Sequence, residues 1–337
     1  KPTNDSGNYS RGIIILTMIL PLSVALFIIK KKYMIACLAL GLVSTVVFLG
    51  PNASAKAALV CCYFSALIIY FLGPKSFTAF GILSLIIIIF NPLISTLILS
   101  KIGQLEKNIE VTEPCTRYLI SKGISDAGFN HKDFEDIIRQ NGTIINNKNI
   151  ALLLSEFEKL ELRTLVSQDM IKFLNDNNVK CSVTIPWQMT SIGSSTIHRL
   201  LIWEYVAKEI LGKPLLGHGL GTSRLIGQNI ILKVPSTNEK IKGAIPLHPH
   251  NNFIEIWLEL GLFGIIIISL IWIKIIKLGK RIRENSYVLG TGVCSSIVTI
   301  FVICNLSFGA FQAWWMASIG LIFLIIFQSP KDKTLVK

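Results

Sequence analysis

Residues 248–276 read HPHNNFIEIWLELGLFGIIIISLIWIKII, so a polar segment leads directly into an apolar run. The run from about 253 to 276 is long enough to cross a bilayer, because roughly 20 helical residues span about 30 Å of hydrocarbon. Ionisable and amide side chains at a membrane boundary are costly, so they usually have a function there. The stretch predicts a membrane helix with a candidate proton acceptor at its entrance.

Six further apolar runs occur in the 337-residue chain, which is 51% hydrophobic and only 16% charged. A soluble domain normally carries more charge than this. Only helices and closed barrels satisfy their backbone groups inside a bilayer, and runs of this length indicate helices. We predict an all-α integral membrane protein, a polytopic helix bundle, with spans near 12–29, 33–50, 57–73, 78–99, 254–276, 288–306 and 311–328.

The net charge of +13 is concentrated in the short segments on one side of these spans. If the long polar stretch, about 100–253, is external, the opposite side holds twelve basic residues against two acidic ones. This is the positive-inside pattern, so the long stretch is predicted to face outward. Nucleic-acid binding is excluded because no basic face remains. The twelve basic residues are Lys30, Lys31, Lys32, Lys75, Lys274, Lys277, Lys280, Arg281, Arg283, Lys331, Lys333 and Lys337.

Three parts follow from this map: a block of four helices (1–99), an external loop domain (100–253) and a block of three helices (254–337). Within the loop domain, apolar periodicity predicts a helix over 149–175 and another over 194–211. The second ends at Gly212-Lys213-Pro214, a clear stop signal. The chain starts with a polar external segment and no methionine, so we expect further spans upstream.

His248 and His250 are the first candidate site residues, and in an extended segment both would point the same way. Asn251 or Asn252 is predicted to cap the following helix, with Glu255 completing a capping-box-like arrangement with Asn252. The alternative is that the segment only caps and anchors a membrane helix. Capping does not need histidine, which favours a functional role for His250. His-x-His with one glutamate offers too few ligands for a metal site.

Arg199, with Trp203 one helical turn later, forms a second constellation that precedes the glycine-rich turn 214–221. Glycines such as Gly217 and Gly219 let the backbone approach another group closely. The alternative is a plain helix stop beside a solvated arginine, and the turn lacks the lysine of a phosphate-binding loop.

Arg11 and Lys56, at predicted external ends of spans, form the third constellation. Each alone is explained by snorkelling towards headgroups. With Arg199 they would suit a pyrophosphate, which Arg and Lys hold by charge-assisted hydrogen bonds. Separately, Cys115 and Cys181 lie in the external stretch, where a disulfide between them stays an open question.

The residues around His250 resemble a known family. His250-Asn251, nine residues and then Gly261-Leu-Phe-Gly264 fits the pattern His-(Asn/Ser/Gln)-x9-Gly-x-x-Gly of bacterial O-antigen ligases. The order Arg…Trp…Pro-Leu-Leu-Gly-x-Gly over 199–219 is similar to the external loop of that superfamily. The resemblance covers the chain as the C-terminal two thirds of such a protein. It departs from the pattern at Lys56, where arginine is usual, and at Trp203 in place of leucine.

The resemblance implies a GT-C-like bundle in the bacterial inner membrane with a large helical periplasmic loop domain. It implies metal-independent, inverting transfer of a glycan from undecaprenyl pyrophosphate to lipid A–core oligosaccharide, without a cofactor. His250 would be the general base, with His248 as second choice, and Arg199, Arg11 and Lys56 would stabilise the leaving pyrophosphate. The remaining substrate-binding candidates are Asn251, Trp203, Gly217 and Gly219.

Other functions remain open at this stage. O-antigen polymerases and protein O-oligosaccharyltransferases belong to the same superfamily and differ in the acceptor. A transporter would place ionisable residues in mid-span, and almost none are found there. A membrane scaffold would leave the His and Arg pattern unexplained.

Overall fold

The computed structural model describes residues 4–106, 110–111, 183–184, 194–228, 230–233, 240–245 and 247–328. By its internal contacts the chain divides into two compact units. The first comprises Lys1–Ile94, Val206–Ile226 and Ile245–Lys337, and the second comprises Ser95–Tyr205 and Gly227–Ala244. The domain boundaries at 99 and 253 stay a prediction. The predicted helix over 149–175, as well as Cys115 and Cys181, falls outside the described residues.

The described residues form eight α-helices and four short strands. The helices are α1 (Asn4–Ile29), α2 (Tyr33–Leu49), α3 (Ala53–Leu72), α4 (Pro74–Glu106), α5 (Ser194–Gly212), α6 (Asn252–Asn285), α7 (Tyr287–Leu306) and α8 (Ala313–Gln328). In the second unit, β1 (Glu110–Val111) pairs antiparallel with β2 (Val183–Thr184), and β3 (Ile231–Lys233) pairs antiparallel with β4 (Lys240–Lys242).

Seven of these helices coincide with the seven predicted apolar runs, which confirms the polytopic helical bundle. Five are long and apolar enough to cross a membrane, whereas α2 and α8 are shorter, with 17 and 16 residues. The helix predicted over 194–211 is also present as α5, and it ends at Gly212 where the Gly-Lys-Pro sequence predicts a stop. The chain is thus a multi-pass membrane protein.

Helix α7 is the most deeply buried helix of the first unit, because small residues let its neighbours approach. A Cβ placed on Gly292 would lie 2.6 Å from the carbonyl oxygen of Pro21 in α1. A Cβ on Gly290 would lie 2.1 Å from the Cα of Arg283 in α6. Neither contact leaves room for a side chain, so α1 and α6 pack directly on the α7 backbone.

Helix α6 is not the single straight span that its apolar run predicts. Phe253 and Trp272 both pack on Phe301, with ring centroids 5.5 Å and 5.2 Å from it. Nineteen residues of straight helix would hold the first two about 28 Å apart. The chain instead folds back at Gly261, whose φ of 60° and ψ of −152° interrupt the helix. Segments 252–260 and 262–285 are therefore two arms of a hairpin.

Arg283 is buried at the basic end of the bundle, where its side chain is 5% exposed. Its Nη2 atom donates to the carbonyl oxygens of Ile69 and Tyr70, both at 3.3 Å, near the C-terminus of α3. The guanidinium also lies 3.8 Å from the ring centroid of Tyr287. A cation at a helix C-terminus offsets the partial negative charge of its last carbonyls. The histidine segment lies at the opposite end of the bundle, where α6 begins and α7 ends.

Candidate active site

Asn251 is the N-cap of helix α6. Its Oδ1 accepts hydrogen bonds from the backbone N–H groups of Phe253 (3.0 Å) and Ile254 (3.2 Å). Its Nδ2 donates to Oδ1 of Asn91 at 3.2 Å. Of the two asparagines proposed as the cap, Asn251 is therefore the one used, and its buried amide serves the fold. A substrate-binding role for Asn251 stays a prediction.

Two further amides connect the same end of the bundle. Asn91 Nδ2 donates to Oδ1 of Asn305 on α7 at 3.0 Å, so Asn251, Asn91 and Asn305 form a chain across three helices. Asn252, oriented so that both of its neighbours are satisfied, donates to the carbonyl oxygen of Phe308 at 2.6 Å and accepts from Nε1 of Trp315 at 2.7 Å. Buried amides that satisfy both donor and acceptor fix a unique arrangement.

The rings of His248 and His250 lie side by side, with centroids 4.4 Å apart and planes tilted by 54°. The backbone that brings them together is not extended throughout, as the sequence predicted, because His250 has a φ of 57°. A non-glycine residue in this left-handed region is strained, and such residues cluster at functional sites. Pro249 between them favours an extended conformation for His248, so the turn falls on His250. Both side chains are half-buried.

A polar chain runs from the histidine pair to Arg11. Gln312 Nε2 lies 3.3 Å from Nδ1 of His248, and Gln312 Oε1 accepts from Nε1 of Trp314 at 3.0 Å. The guanidinium carbon of Arg11 lies 5.3 Å from the Trp314 ring centroid, within cation–π range. The structure thus brings Arg11 to the same site as His248 and His250. Arg11 lies at the start of the apolar stretch Tyr9–Ile29, within helix α1, which itself begins at Asn4.

The glycine-rich turn 214–221 docks on the fold-back of α6. The interruption at Gly261 leaves two carbonyl oxygens without their intrahelical partners, and the turn supplies N–H donors to both: His218 to Leu258 (2.8 Å) and Gly219 to Glu259 (2.9 Å). In return, the N–H of Leu262 donates to the carbonyl oxygen of Pro214 at 2.9 Å. The unpaired backbone of the hairpin is therefore satisfied by a segment about 45 residues earlier in the chain.

Gly217 confirms the prediction that this turn approaches another group closely. A Cβ on Gly217 would lie 2.5 Å from the carbonyl carbon and oxygen of Glu259, and its φ of 67° also favours glycine. The N–H of Gly217 donates to the carbonyl oxygen of Lys213, just before the turn, at 3.1 Å. The N–H of Gly219 donates to the carbonyl oxygen of Glu259. Substrate binding by Gly217 and Gly219 stays a prediction, while these N–H groups serve the fold.

Two buried glutamates hold the segment that follows the turn. The Glu259 carboxylate, 1% exposed, accepts from the N–H groups of Gly221 (2.8 Å) and Ser223 (3.1 Å). The Glu255 carboxylate, 5% exposed, accepts from the Ser223 hydroxyl at 3.4 Å and from the N–H of Ala310. The capping-box role predicted for Glu255 is therefore wrong, because its carboxylate faces these two partners. These contacts show that both glutamates hold neighbouring segments of the chain in place.

Lys56 lies in the first turn of α3, which is capped by Asn52. That turn meets the end of α7, because the Ser54 hydroxyl donates to the carbonyl oxygen of Leu306 at 3.0 Å. Lys56 is therefore at the same end of the bundle as the histidine pair. Arg199 and Trp203 belong to the second unit, on consecutive turns of α5. Burial lowers the pKa of the Arg199 guanidinium, because the charged form is less stable away from water.

Gln312 and Trp314 are site residues that the sequence reasoning missed. A polar side chain at the start of the last apolar run, followed by a tryptophan pair typical of a membrane interface, was the available signal. Glu255 and Glu259 were noted, but their partners at Ser223 and Ala310 are remote in sequence. Within the described part of the chain, no group of three or more His, Cys, Asp or Glu side chains lies close enough to hold a metal ion.

The fold and the site together define a multi-pass helical membrane protein with a histidine pair and an arginine at one end of its bundle. Its relatives include three proteins whose names describe a "Putative polysaccharide ligase". The Rickettsia felis protein is 34% identical over 134 residues, that from Rickettsia conorii 33% over 134, and that from Rickettsia bellii 33% over 124. These segments cover 37–40% of this chain and 30–32% of each relative.

The chain thus spans about a third of the length of the curated relatives that it matches. No family model matches it, and no solved structure matches it. The similarity to polysaccharide ligases confirms the resemblance to O-antigen-ligase-type proteins that the sequence shows.

Proposed function

We propose that this protein is a ligase-type glycosyltransferase that moves a glycan from undecaprenyl pyrophosphate to a hydroxyl of lipid A–core oligosaccharide at the periplasmic face of the bacterial inner membrane. The observation that carries the proposal is the pairing of His248 and His250 at the end of the bundle, joined through Gln312 and Trp314 to Arg11. The relatives named as polysaccharide ligases support the same class of reaction.

The proposed general base is His250. A sugar hydroxyl is a poor nucleophile, so a neutral imidazole that takes up its proton assists attack, typically by about 10²–10⁴ in rate. In the proposed step the acceptor oxygen bonds to the anomeric carbon while its proton passes to the imidazole. The bond from that carbon to the pyrophosphate oxygen breaks, and undecaprenyl pyrophosphate leaves. Attack from the face opposite the leaving group inverts the anomeric centre.

Cations would stabilise the leaving pyrophosphate as it gains charge. Arg11 and Lys56 lie at the same end of the first unit as the histidine pair, and Arg199 is the third candidate. Guanidinium groups bind phosphate oxygens in a planar, bidentate geometry, while a lysine provides a point charge. This assignment leaves the step independent of a divalent metal, so chelation should not reduce transfer. A loss of activity with EDTA that Mg²⁺ restores would contradict it.

The direct test is transfer by the purified protein from a synthetic undecaprenyl-pyrophosphoryl glycan to lipid A–core. His250→Ala is expected to lose at least about 100-fold in turnover, the lower range of general-base assistance. His218→Gln is the matched control, because His218 lies in the glycine-rich turn and its ring Nε2 bonds the Glu209 carbonyl oxygen at 3.1 Å. Near-normal turnover by well-folded His250→Ala protein would reject the base assignment.

The acceptor is tested by offering alternatives to the same preparation. Transfer to lipid A–core alone supports the ligase. Transfer to a second lipid-linked glycan would identify a polymerase, and transfer to a protein hydroxyl would identify an O-oligosaccharyltransferase. In each of these cases His250→Ala is still expected to be inactive, because the reacting group on the acceptor is a hydroxyl.

A further inference from the structure

The amide of Gln312 has a fixed orientation, and Trp314 is the reason. An indole N–H only donates, so the Gln312 atom that lies 3.0 Å from Trp314 Nε1 is the oxygen. The amide nitrogen is then the atom that faces Nδ1 of His248 at 3.3 Å. An amide nitrogen also only donates, which means that Nδ1 of His248 accepts and carries no proton. The Gln312 contact therefore favours a neutral His248 with its proton on Nε2.

The neighbour of His248 is the proposed base. The ring centroids of His248 and His250 are 4.4 Å apart, so two positive charges there would repel each other strongly. Interacting groups at this distance titrate as a pair, and the pair accepts one proton more easily than two. If His248 is kept neutral, the first proton that the pair takes up binds to His250.

We infer that Gln312 is a positioning residue that holds His248 in its neutral Nε2–H form and so reserves proton uptake for His250. The catalytic part of this inference rests on the function proposed above, whereas the protonation state of His248 does not. The orientation of Trp314 matters in turn, because its indole N–H determines which end of the Gln312 amide faces His248.

Other charged groups act on the pair from several elements. Glu255 on α6 is a nearby carboxylate, since a Cβ on Gly309 would lie 2.9 Å from its Oε2 atom and 3.0 Å from the Cβ of His248. That carboxylate is already engaged by Ser223 and Ala310. Beyond it lie Glu259 one turn along α6, Arg224 in the short 3-10 helix Thr222–Arg224, and Arg11 across Trp314.

Nitrogen-15 NMR of the full chain in detergent, labelled at histidine, tests the protonation state directly. The signals of His248 are identified by their loss in His248→Ala. We expect wild-type His248 at neutral pH to show an unprotonated Nδ1 and a protonated Nε2, and His250→Ala to leave this pattern unchanged. Gln312→Glu is expected to protonate both ring nitrogens, because a carboxylate accepts the Nδ1 proton and favours the charged imidazolium. A protonated Nδ1 in the wild type would overturn the inference.

Transfer kinetics with the same variants test the catalytic part. Gln312→Glu is expected to lower kcat by about tenfold or more with little change in KM, since His250 then faces an imidazolium. Gln312→Met keeps the length without the carboxylate and is expected to lose less. Ser318→Ala is the matched control, because it removes a hydrogen bond to the Trp314 carbonyl and leaves the indole N–H in place.

Full kcat in Gln312→Glu would overturn the positioning role. If the wild type transfers no glycan to any acceptor, the proposed function fails, while the NMR result still decides the protonation state of His248.

Discussion

The backbones of Gly217 and Gly261 meet without room for a side chain on either. A Cβ on Gly217 would lie 2.7 Å from the Gly261 nitrogen, and a Cβ on Gly261 would lie 2.6 Å from the Gly217 nitrogen. Both residues have a positive φ, 67° and 60°. The glycine-rich turn and the fold-back of α6 therefore fit together through their main chains.

Alanine at either glycine is expected to destabilise the protein by about 2–4 kcal/mol, from the left-handed backbone and the overlap together. Thermal unfolding in detergent measures the effect. Gly41→Ala is the matched control, because Gly41 lies within α2 with no atom within 4 Å of an added Cβ, and it should be neutral or slightly stabilising. Equal melting temperatures for all three variants would contradict the contact between the two backbones.

Glu259→Gln should loosen the segment after the turn. A carboxylate accepts two N–H groups, whereas an amide places an NH2 group against one of them, at a cost of about 1–3 kcal/mol. Hydrogen exchange at Gly221 and Ser223 should accelerate accordingly. Glu284→Gln is the matched control, because Glu284 forms only an exposed pair with Lys280 at 3.8 Å. That change is expected to alter stability by less than about 0.5 kcal/mol, and unchanged exchange in Glu259→Gln would contradict the assignment.

Asn251→Ala should cost about 1–2 kcal/mol, since two N–H groups at the start of α6 lose their cap. Asn251→Ser keeps a cap oxygen but is too short to reach Asn91, so it should recover part of the loss. Chemical denaturation of the two variants provides the comparison. If alanine and serine are equally destabilising, the contact with Asn91, rather than the cap, dominates.

Arg11→Gln should weaken donor binding if Arg11 contacts the pyrophosphate. Losing one charge-assisted hydrogen bond is worth about 1.5–3 kcal/mol, so KM for the lipid-linked donor should rise at least about tenfold. Arg281→Gln, at the basic end of the bundle, removes the same charge and is expected to leave KM unchanged. A KM for Arg11→Gln that matches this control would exclude the contact.

Membrane orientation is checked by cysteine labelling of intact cells with an impermeant maleimide. Leu216 in the glycine-rich turn is 74% exposed, and Lys31 lies in the exposed connection between α1 and α2. With external placement of the turn, Leu216→Cys should label in intact cells and Lys31→Cys only after lysis. The parent protein gives the background from native cysteines. The reverse pattern would invert the predicted topology.

Local sequence signals predicted which segments form membrane helices. The apolar runs predicted each membrane helix, and Gly212-Lys213-Pro214 gave the end of α5. The sequence limited the N-cap of α6 to two neighbouring asparagines, and the geometry of the structure decides between them. Asn251 is used because its oxygen reaches two N–H groups, while Asn252 is turned towards Phe308 and Trp315.

Contacts between distant segments could not be predicted in the same way. The fold-back at Gly261 depends on backbone partners supplied by Pro214, His218 and Gly219, and no local pattern links the two segments. The position of Gln312 beside His248 also depends on a contact between distant segments, because the segment after α7 must return to the start of α6. The hydropathy of a sequence reveals how long an apolar segment is, but it does not reveal whether the chain reverses direction within that segment.

The reversal in α6 changes how the two glutamates enter the membrane. A carboxylate carried into the centre of a spanning helix costs a few kcal/mol during insertion. Because the chain turns back at Gly261, the arm over 252–260 does not traverse the bilayer, and the arm over 262–285 alone supplies about 36 Å of helix for the crossing. Glu255 and Glu259 therefore lie on the arm that does not cross, and the apolar segment that crosses begins after them.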